Sequence, residues 1–461
     1  MRRAWGTGVL VATLAAPAAG RERIDMLVSG GTVITMDGGG RVVEDGAVAV
    51  RAGGIVAVGR SADLLARYEA ARTVDATGRL VLPGLVNTHT HAPMTLFRGV
   101  AEDLELMEWL EEHIWPAERA NVTPEFVAWG TRLAAWEMIR SGTTTFADMY
   151  FYEDEVAAAA KEAGLRAVCA ATVIDFPVPG SKNADEALAA AESFLRRWRD
   201  DGLVVPAVGP HAPYSVSPEN LRRARDLAER HRAPLLIHAA ESKAEVETVR
   251  SRFGVSSVAH LDRLGLLGPR TLLAHAIWLS DEDVLTLRAR DVGVGHCPQS
   301  NMKIAAGVAP VPRLRRAGVR LGLGTDGPAS NNDLSLFEEI DTALKLQKMA
   351  TGDPKALTAR EAVEMATIGG ARALHLEDRI GSLEEGKRAD LVVVSLEAPS
   401  AIPLYDVYAH LAYAIKGSDV ETVMVEGRLL MEGRRMLTLD TAAIAARARE
   451  LQRQVARSLG R

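Results

Sequence analysis

Cysteine is nearly absent: Cys169 and Cys297 are the only two in 461 residues. Two thiols cannot build a disulfide framework, nor a zinc site of four cysteine ligands. Any bound metal must therefore rest on histidine and carboxylate. A basic surplus is also missing. The formal charge is −6, and phosphate backbones need a basic face, so nucleic acid is excluded as the main partner. No apolar run reaches the ~18 residues needed to span a bilayer, which excludes a helical membrane anchor. Two metal-enzyme signatures are absent as well. There is no His-x-Glu followed by Pro-Cys-x-x-Cys, and no His-Glu-x-x-His helix.

What is present is a large stock of core-forming residues, 48% hydrophobic against 25% charged. Such a length suggests one big domain with an attachment, or two ordinary ones. Residues 1–24 read as a leader. Arg2 and Arg3 precede the apolar stretch Val9–Ala16, and Ala16-Pro17-Ala18 has the small-x-small look of a cleavage site. A short signal peptide and a disordered or mis-assigned start both fit, so the expected location is cytoplasmic with export left open. Residues 25–82 and 380–440 are rich in short strands and turn signals, which predicts one small β-sandwich domain assembled from both chain ends. Residues 441–461 read as a C-terminal helix.

Between them, residues 83–379 alternate apolar strands with amphipathic stretches such as Asp154–Glu162, Asp185–Arg199, Pro218–Arg232 and Asp281–Arg290. Eight strand–helix units predict an α/β fold, a closed (β/α)₈ TIM barrel. The strands end at His91, Asp148, Asp175, His211, His238, His275, His296 and Asp326. Every end carries His or Asp, and the C-terminal rim of such a barrel gathers side chains from separate strands at one place. An Asp after a strand often only caps the next helix, but eight such ends together point to a polar site.

His89 and His91 stand at i and i+2 of the first strand and so face the same way. With His238 and Asp326 they form a candidate cage of three imidazoles and one carboxylate, suited to one Zn²⁺, with Fe²⁺ as the alternative. Such an ion lowers the pKa of a bound water towards ~7. No lysine closes strand four, Val204–His211, which argues against a carbamylated lysine bridging two metals, so the site reads as mononuclear. Glu241, three residues past His238, can face the same cavity, where desolvation suits it to giving and taking a proton. His275 is placed to orient or deprotonate water.

These residues lie in recognisable runs: Pro83-Gly84-Leu85-Val86-Asn87-Thr88-His89-Thr90-His91-Ala92-Pro93-Met94-Thr95, then Gly209-Pro210-His211-Ala212-Pro213-Tyr214, His296-Cys297-Pro298 with Ser300-Asn301, and Gly324-Thr325-Asp326-Gly327 with Ser330. The chain resembles the amidohydrolase superfamily and, within it, the 5-methylthioadenosine/S-adenosylhomocysteine deaminases, from about Asp25 to the C-terminus. The resemblance implies hydrolytic deamination at C6 of an adenine nucleoside, with ammonia and an inosine-type product. It implies metal binding by His89, His91, His238 and Asp326. It gives Glu241 the protonation of the purine ring, and His275 with Asp326 the activation of water. Trp109 would pack near the substrate, Glu118 would accept the ribose hydroxyls, and His211 and Ser330 would line the pocket. A homo-oligomer is expected.

One departure bears on substrate. Members favouring S-adenosylhomocysteine resemble one another in arginines after strand three; here that segment, Ala170–Pro177, has none and ends in Asp175-Phe176-Pro177. Uncharged tails are therefore expected, as in 5′-methylthioadenosine, 5′-deoxyadenosine or adenosine, unless Lys182 or an arginine of another subunit supplies the charge. Two rival readings use the same cage: hydrolysis of another heteroaromatic ring (guanine, cytosine or a triazine), and a catalytically inactive binding protein.

Overall fold

The computed structural model describes residues 20–460. Residues 1–19 of the expected leader lie outside that range, and the first strand already begins at Glu22. Five strands open the chain: β1 (Glu22–Ile34), β2 (Val42–Arg51), β3 (Gly54–Arg60), β4 (Tyr68–Asp75) and β5 (Arg79–Pro83). Four come from the other end: β14 (Leu391–Ser395), β15 (Val420–Val425), β16 (Arg428–Glu432) and β17 (Arg435–Met436). They join in one mixed sheet ordered β17-β16-β15-β14-β5-β1-β2-β3, with β4 paired to β1. The two chain ends meet where β14 runs antiparallel to β5, Val393 opposite Val81. Alternation sends Val48, Val50, Val81, Leu391, Val393 and Met424 into one shared apolar cluster. The opposite face of β1 to β3 packs Leu27, Ala47 and Ala49 beneath Leu64 and Tyr68.

The strands between are β6 (Leu85–Thr90), β7 (Thr143–Tyr150), β8 (Arg166–Val173), β9 (Val204–Pro210), β10 (Leu235–Ala239), β11 (Thr271–His275), β12 (Gly293–His296) and β13 (Arg320–Leu323). They form an eight-stranded parallel sheet in sequence order, from β6 through to β13. Every residue of β6, β7, β10, β11 and β12 is buried, as expected of a parallel sheet covered on both faces. The seam between β13 and β6 closes through hydrogen bonds. Thr88 Oγ1 donates to the Leu323 carbonyl at 2.8 Å, and the N–H groups of Thr325 and Asp326 donate to the His89 carbonyl at 3.1 and 2.9 Å. The fold is thus the (β/α)₈ barrel with an attached sheet drawn from both termini.

Only Gly84 separates β5 from β6, and a Cβ there would meet Thr144 Oγ1 at 2.1 Å. The two bodies are also joined by a buried ion cluster. Arg166, at the start of β8, reaches Asp390 at 3.1 Å and Glu426 at 3.0 Å, beside β14 and β15. Among the described residues no helix is long and apolar enough to cross a membrane.

Candidate metal centre and its cavity

β6 carries Asn87, Thr88 and His89 fully inside, and His91 follows one residue past the strand end. The i, i+2 spacing brings the two imidazoles together, with ring centroids 4.8 Å apart. β10 delivers His238, whose ring lies 4.8 Å from His89 and 5.3 Å from His91. Asp326 arrives beyond β13, where its φ of 60° turns the chain inward. Its Oδ1 stands 3.4 Å from His89 Nε2 and 3.3 Å from His91 Nε2. The neighbouring Gly324 permits this approach, since a Cβ there would sit 2.9 Å from the His89 nitrogen.

The donor set fits a cation on its own geometry. His91 Nδ1–H donates to the Met149 carbonyl, and His238 Nδ1–H donates to the His211 carbonyl at 2.7 Å. Each bond commits one nitrogen as donor and leaves Nε2 with a bare lone pair. Those two Nε2 atoms nevertheless lie 3.4 Å apart, an arrangement that a positive charge between them would relieve. Neither nitrogen of the fully buried His89 has a hydrogen-bond partner among the described residues. Asp326 Oδ1 faces the imidazoles while Oδ2 accepts from Ser300 Oγ at 2.6 Å and Ser330 Oγ at 2.8 Å. His275 also belongs to the cluster: donor atoms of His89, His238 and His275 lie within 4.8 Å of one another.

Electrostatics agree. Burial pushes His89 down to about 4 against the pull of Asp326, so its ring stays unprotonated. Burial opposes protonation of His91 too, but Asp326 and then Asp148 outweigh it and raise that ring to about 9. Burial would raise the Asp326 carboxyl, yet His89 and His91 hold it well below the ordinary carboxylate range. A proton on His91 and a cation at the centre answer the same demand of the Asp326 charge.

Above the centre lies a cavity at the C-terminal ends of the barrel strands. Of the residues assigned by sequence, Trp109, Glu118, His211, Glu241, His275 and Ser330 all line it. Glu241 follows Ala240, whose φ of 55° turns the chain off β10. Burial, opposed by His275, raises its carboxyl to about 7. His275 Nε2 lies 3.6 Å from Glu241 Oε1 while its Nδ1–H donates to Asn301 Oδ1 at 2.9 Å. Burial would lower His275, but the Glu241 and Asp326 carboxylates raise it. Glu118 accepts from the Tyr150 hydroxyl at 2.7 Å, and burial lifts it to about 7 despite that bond. His211 bonds Ser215 Oγ through Nδ1 at 2.7 Å, and burial lowers it to about 3, so it stays neutral.

Three strand-end residues do not join the site. Asp148 Oδ1 accepts the Ala92 N–H at 2.5 Å and secures the turn after β6. Asp175 accepts from Ser217 N–H at 2.8 Å and Asn220 Nδ2 at 2.9 Å, capping the helix Pro218–His231. His296 is buried, yet it does not line the cavity. Lys182 does not reach it either. Sequence reasoning missed Tyr150, which shares a strand face with Asp148 two residues earlier. It also gave no role to Ser300 and Asn301, although both sit in the motif after β12.

The cavity is roofed by residues Leu106–Glu108, a π-helical turn Trp109–Ile114 and the helix Trp115–Asn121. Pro116 has no N–H to return to the preceding turn, which favours the widened ladder there. The C-terminal helix Thr441–Ser458 braces this roof, with Asn121 Nδ2 donating to Ser458 Oγ at 2.7 Å.

Comparison with known proteins agrees with this geometry. Residues 80–430 match the amidohydrolase family. A 5-methylthioadenosine/S-adenosylhomocysteine deaminase of Syntrophobacter fumaroxidans is 51% identical over 436 residues, covering 95% of this chain and 99% of its own. A 5′-deoxyadenosine deaminase of Methanosarcina acetivorans is 46% identical over 427 residues, covering 92% and 97%. The crystal structure of an adenosine deaminase from Xanthomonas campestris, with bound zinc, superposes with a TM-score of 0.93 at 45% identity, covering 94% of this chain and 99% of that one. With its barrel, its histidine–aspartate centre and these relatives, the chain belongs to the amidohydrolase family.

Proposed function

We propose that this site hydrolytically deaminates an adenine nucleoside at C6, releasing ammonia and an inosine-type product. 5′-Methylthioadenosine, S-adenosylhomocysteine, 5′-deoxyadenosine and adenosine are the candidate substrates. The observation that supports this reading is the pairing of two buried carboxyls in one cavity: Glu241 against the histidine cluster, and Glu118 under the roof. The names of the relatives at 51% and 46% identity point the same way.

His89, His91, His238 and Asp326 would hold Zn²⁺, with Fe²⁺ as the alternative. Such an ion supplies the Lewis acidity that brings a water's pKa towards ~7. The protein's own groups do the rest. Glu241, protonated near neutrality, donates to a purine ring nitrogen and draws electrons away from C6. His275, steadied by Asn301, and Asp326, steadied by Ser300 and Ser330, take protons from the attacking water. One of these protons leaves with the exocyclic nitrogen as ammonia, and the other restores the acid form of Glu241. Glu118, held by Tyr150, accepts hydrogen bonds from the ribose hydroxyls, while Trp109, His211 and Ser330 shape the pocket around the base.

Ammonia release across a panel of adenosine analogues, guanine, cytosine and amino- or chlorotriazines tests the reading. Turnover is expected with the adenine nucleosides. Glu118→Ala should lower their kcat/KM by ~10- to 100-fold, from the loss of hydrogen bonds to a charged group. A ribose-free ring as the preferred substrate, indifferent to that substitution, would refute it. Association with a second copy and a cytoplasmic location belong to the same proposal. The exposed Ile402 and Tyr405, at 68% and 90% accessibility, support the first. The two free, buried thiols support the second. Light scattering and cell fractionation check them.

A further inference from the structure

The helix Leu336–Thr351 carries an acid that the mechanism above does not use. Glu339 is fully buried, and it does not line the cavity above the histidine cluster. Its neighbour Glu338 reaches outward to Lys416 at 3.5 Å, whereas no cation acts on Glu339 among the described residues. Burial pushes its carboxyl well above the ordinary range, despite the two bonds it accepts. A carboxyl held inside without a cation is unfavourable unless donors satisfy it. Both donors come from loops that serve the centre. Oε2 accepts the Gln299 N–H at 3.2 Å, from the segment after β12, and Oε1 accepts from Asn331 Nδ2 at 2.5 Å, from the loop after β13. The same Asn331 amide also donates to the Thr325 carbonyl at 2.7 Å.

Each of these three partners adjoins a residue that steadies the cluster. Gln299 precedes Ser300 and Asn301, Asn331 follows Ser330, and Thr325 precedes Asp326. Ser300 and Ser330 both donate to Asp326 Oδ2, at 2.6 and 2.8 Å, while Asn301 accepts from His275 Nδ1 at 2.9 Å. We propose that Glu339 is a positioning residue of the centre. Its one carboxyl fastens the segment after β12 to the loop after β13, and so sets where Ser300 and Ser330 hold Asp326. The inference rests on the reading of His89, His91, His238 and Asp326 as a metal cage. Lys303 makes a second tie between the same segments, to the Ala329 carbonyl at 3.3 Å and to Asn332 Oδ1 at 2.6 Å. The bond to Asn332 is exposed, and water competes with an exposed charged contact. The Glu339 tie is dry, so its bonds have no solvent substitute when removed.

The test reads Zn²⁺ affinity of the full chain by competition with a chromogenic chelator, alongside ammonia release from adenosine. Glu339→Gln keeps the volume and one acceptor but turns an N–H donor toward Gln299 or Asn331. It should weaken Zn²⁺ binding by ~10-fold, and Glu339→Leu, with no acceptor, by up to ~100-fold. In zinc-saturated protein kcat should fall while KM for adenosine stays within about twofold, because Glu118 and Trp109 sit on the roof, away from this tie. A double-mutant cycle separates positioning from plain stability. In a Ser300→Ala, Ser330→Ala background, Glu339→Gln should cost less than about twofold in affinity, since the bonds through which it acts are gone. An equal loss in both backgrounds overturns the proposal, as does wild-type zinc affinity in Glu339→Gln. Should Glu339→Leu not fold, the cycle with Glu339→Gln decides alone. Failure of the wild-type chain to bind Zn²⁺ overturns the cage itself, and the role of Glu339 with it.

Discussion

At the residue scale, two carboxyls share a fate and differ in use. Burial lifts both Glu241 and Glu118 to about 7, but Glu241 faces His275 whereas Glu118 faces a tyrosine hydroxyl. Glu241 can donate only while protonated, so kcat/KM should fall as pH rises through about 7. Glu241→Gln should lower kcat/KM by at least ~100-fold and abolish that limb of its pH profile. An unchanged profile in the variant would assign the limb elsewhere. Glu241 and His275 were legible in sequence because each sits at a fixed offset from a strand end. Tyr150, Ser300 and Asn301 were not, since their role is to hold another side chain, and that requires knowing which neighbour folding supplies.

At the element scale, the strand termini decide what enters the site. Apolar runs closed by His or Asp marked the eight barrel strands in the sequence, and all eight form. Five of those ends reach the metal centre or its cavity, whereas Asp148 and Asp175 turn aside to satisfy backbone N–H groups and His296 stays in the interior. A strand-end acid has two competing uses, capping and ligation, and only local chain direction selects between them. β15 and β16 form a hairpin, because Glu426 and Gly427 between them both take positive φ, 47° and 73°. β4 shows little alternation in the sequence, because most of it is exposed and charged. The join of β13 to β6 is tight at Gly324, which leads to a prediction. Gly324→Ala places a methyl within 3.0 Å of His89 backbone and Cβ atoms. It should displace the His89 imidazole and, if that ring holds zinc as proposed, lower zinc affinity by ~10- to 100-fold, read by competition with a chromogenic chelator. Unaltered affinity would show that the seam has slack.

At the scale of the whole molecule, the sheet built from both termini is bound to the barrel by Arg166 and its two acids. Asp390 is buried, so Arg166→Met leaves an uncompensated charge and should cost about 3–5 kcal/mol in urea unfolding. A loss below ~1 kcal/mol would mean that the apolar interface alone carries the join. Stripping metal from the purified protein should lower its unfolding midpoint and its activity together, and Zn²⁺ should restore both. An ion that binds only the folded state stabilises it by about 2.7 kcal/mol at 100-fold over its Kd. An unchanged midpoint would argue against a resident ion. Periodicity and the identity of strand-end residues are local properties, so the amino-acid sequence alone determined the barrel, the sheet from both ends and the histidines and aspartates that close its strands. The distances within the histidine–aspartate cluster and the residues that steady its side chains depend on how remote segments pack. Tertiary structure alone decided those, because nothing in a linear chain records which side chains solvent exclusion will bring face to face.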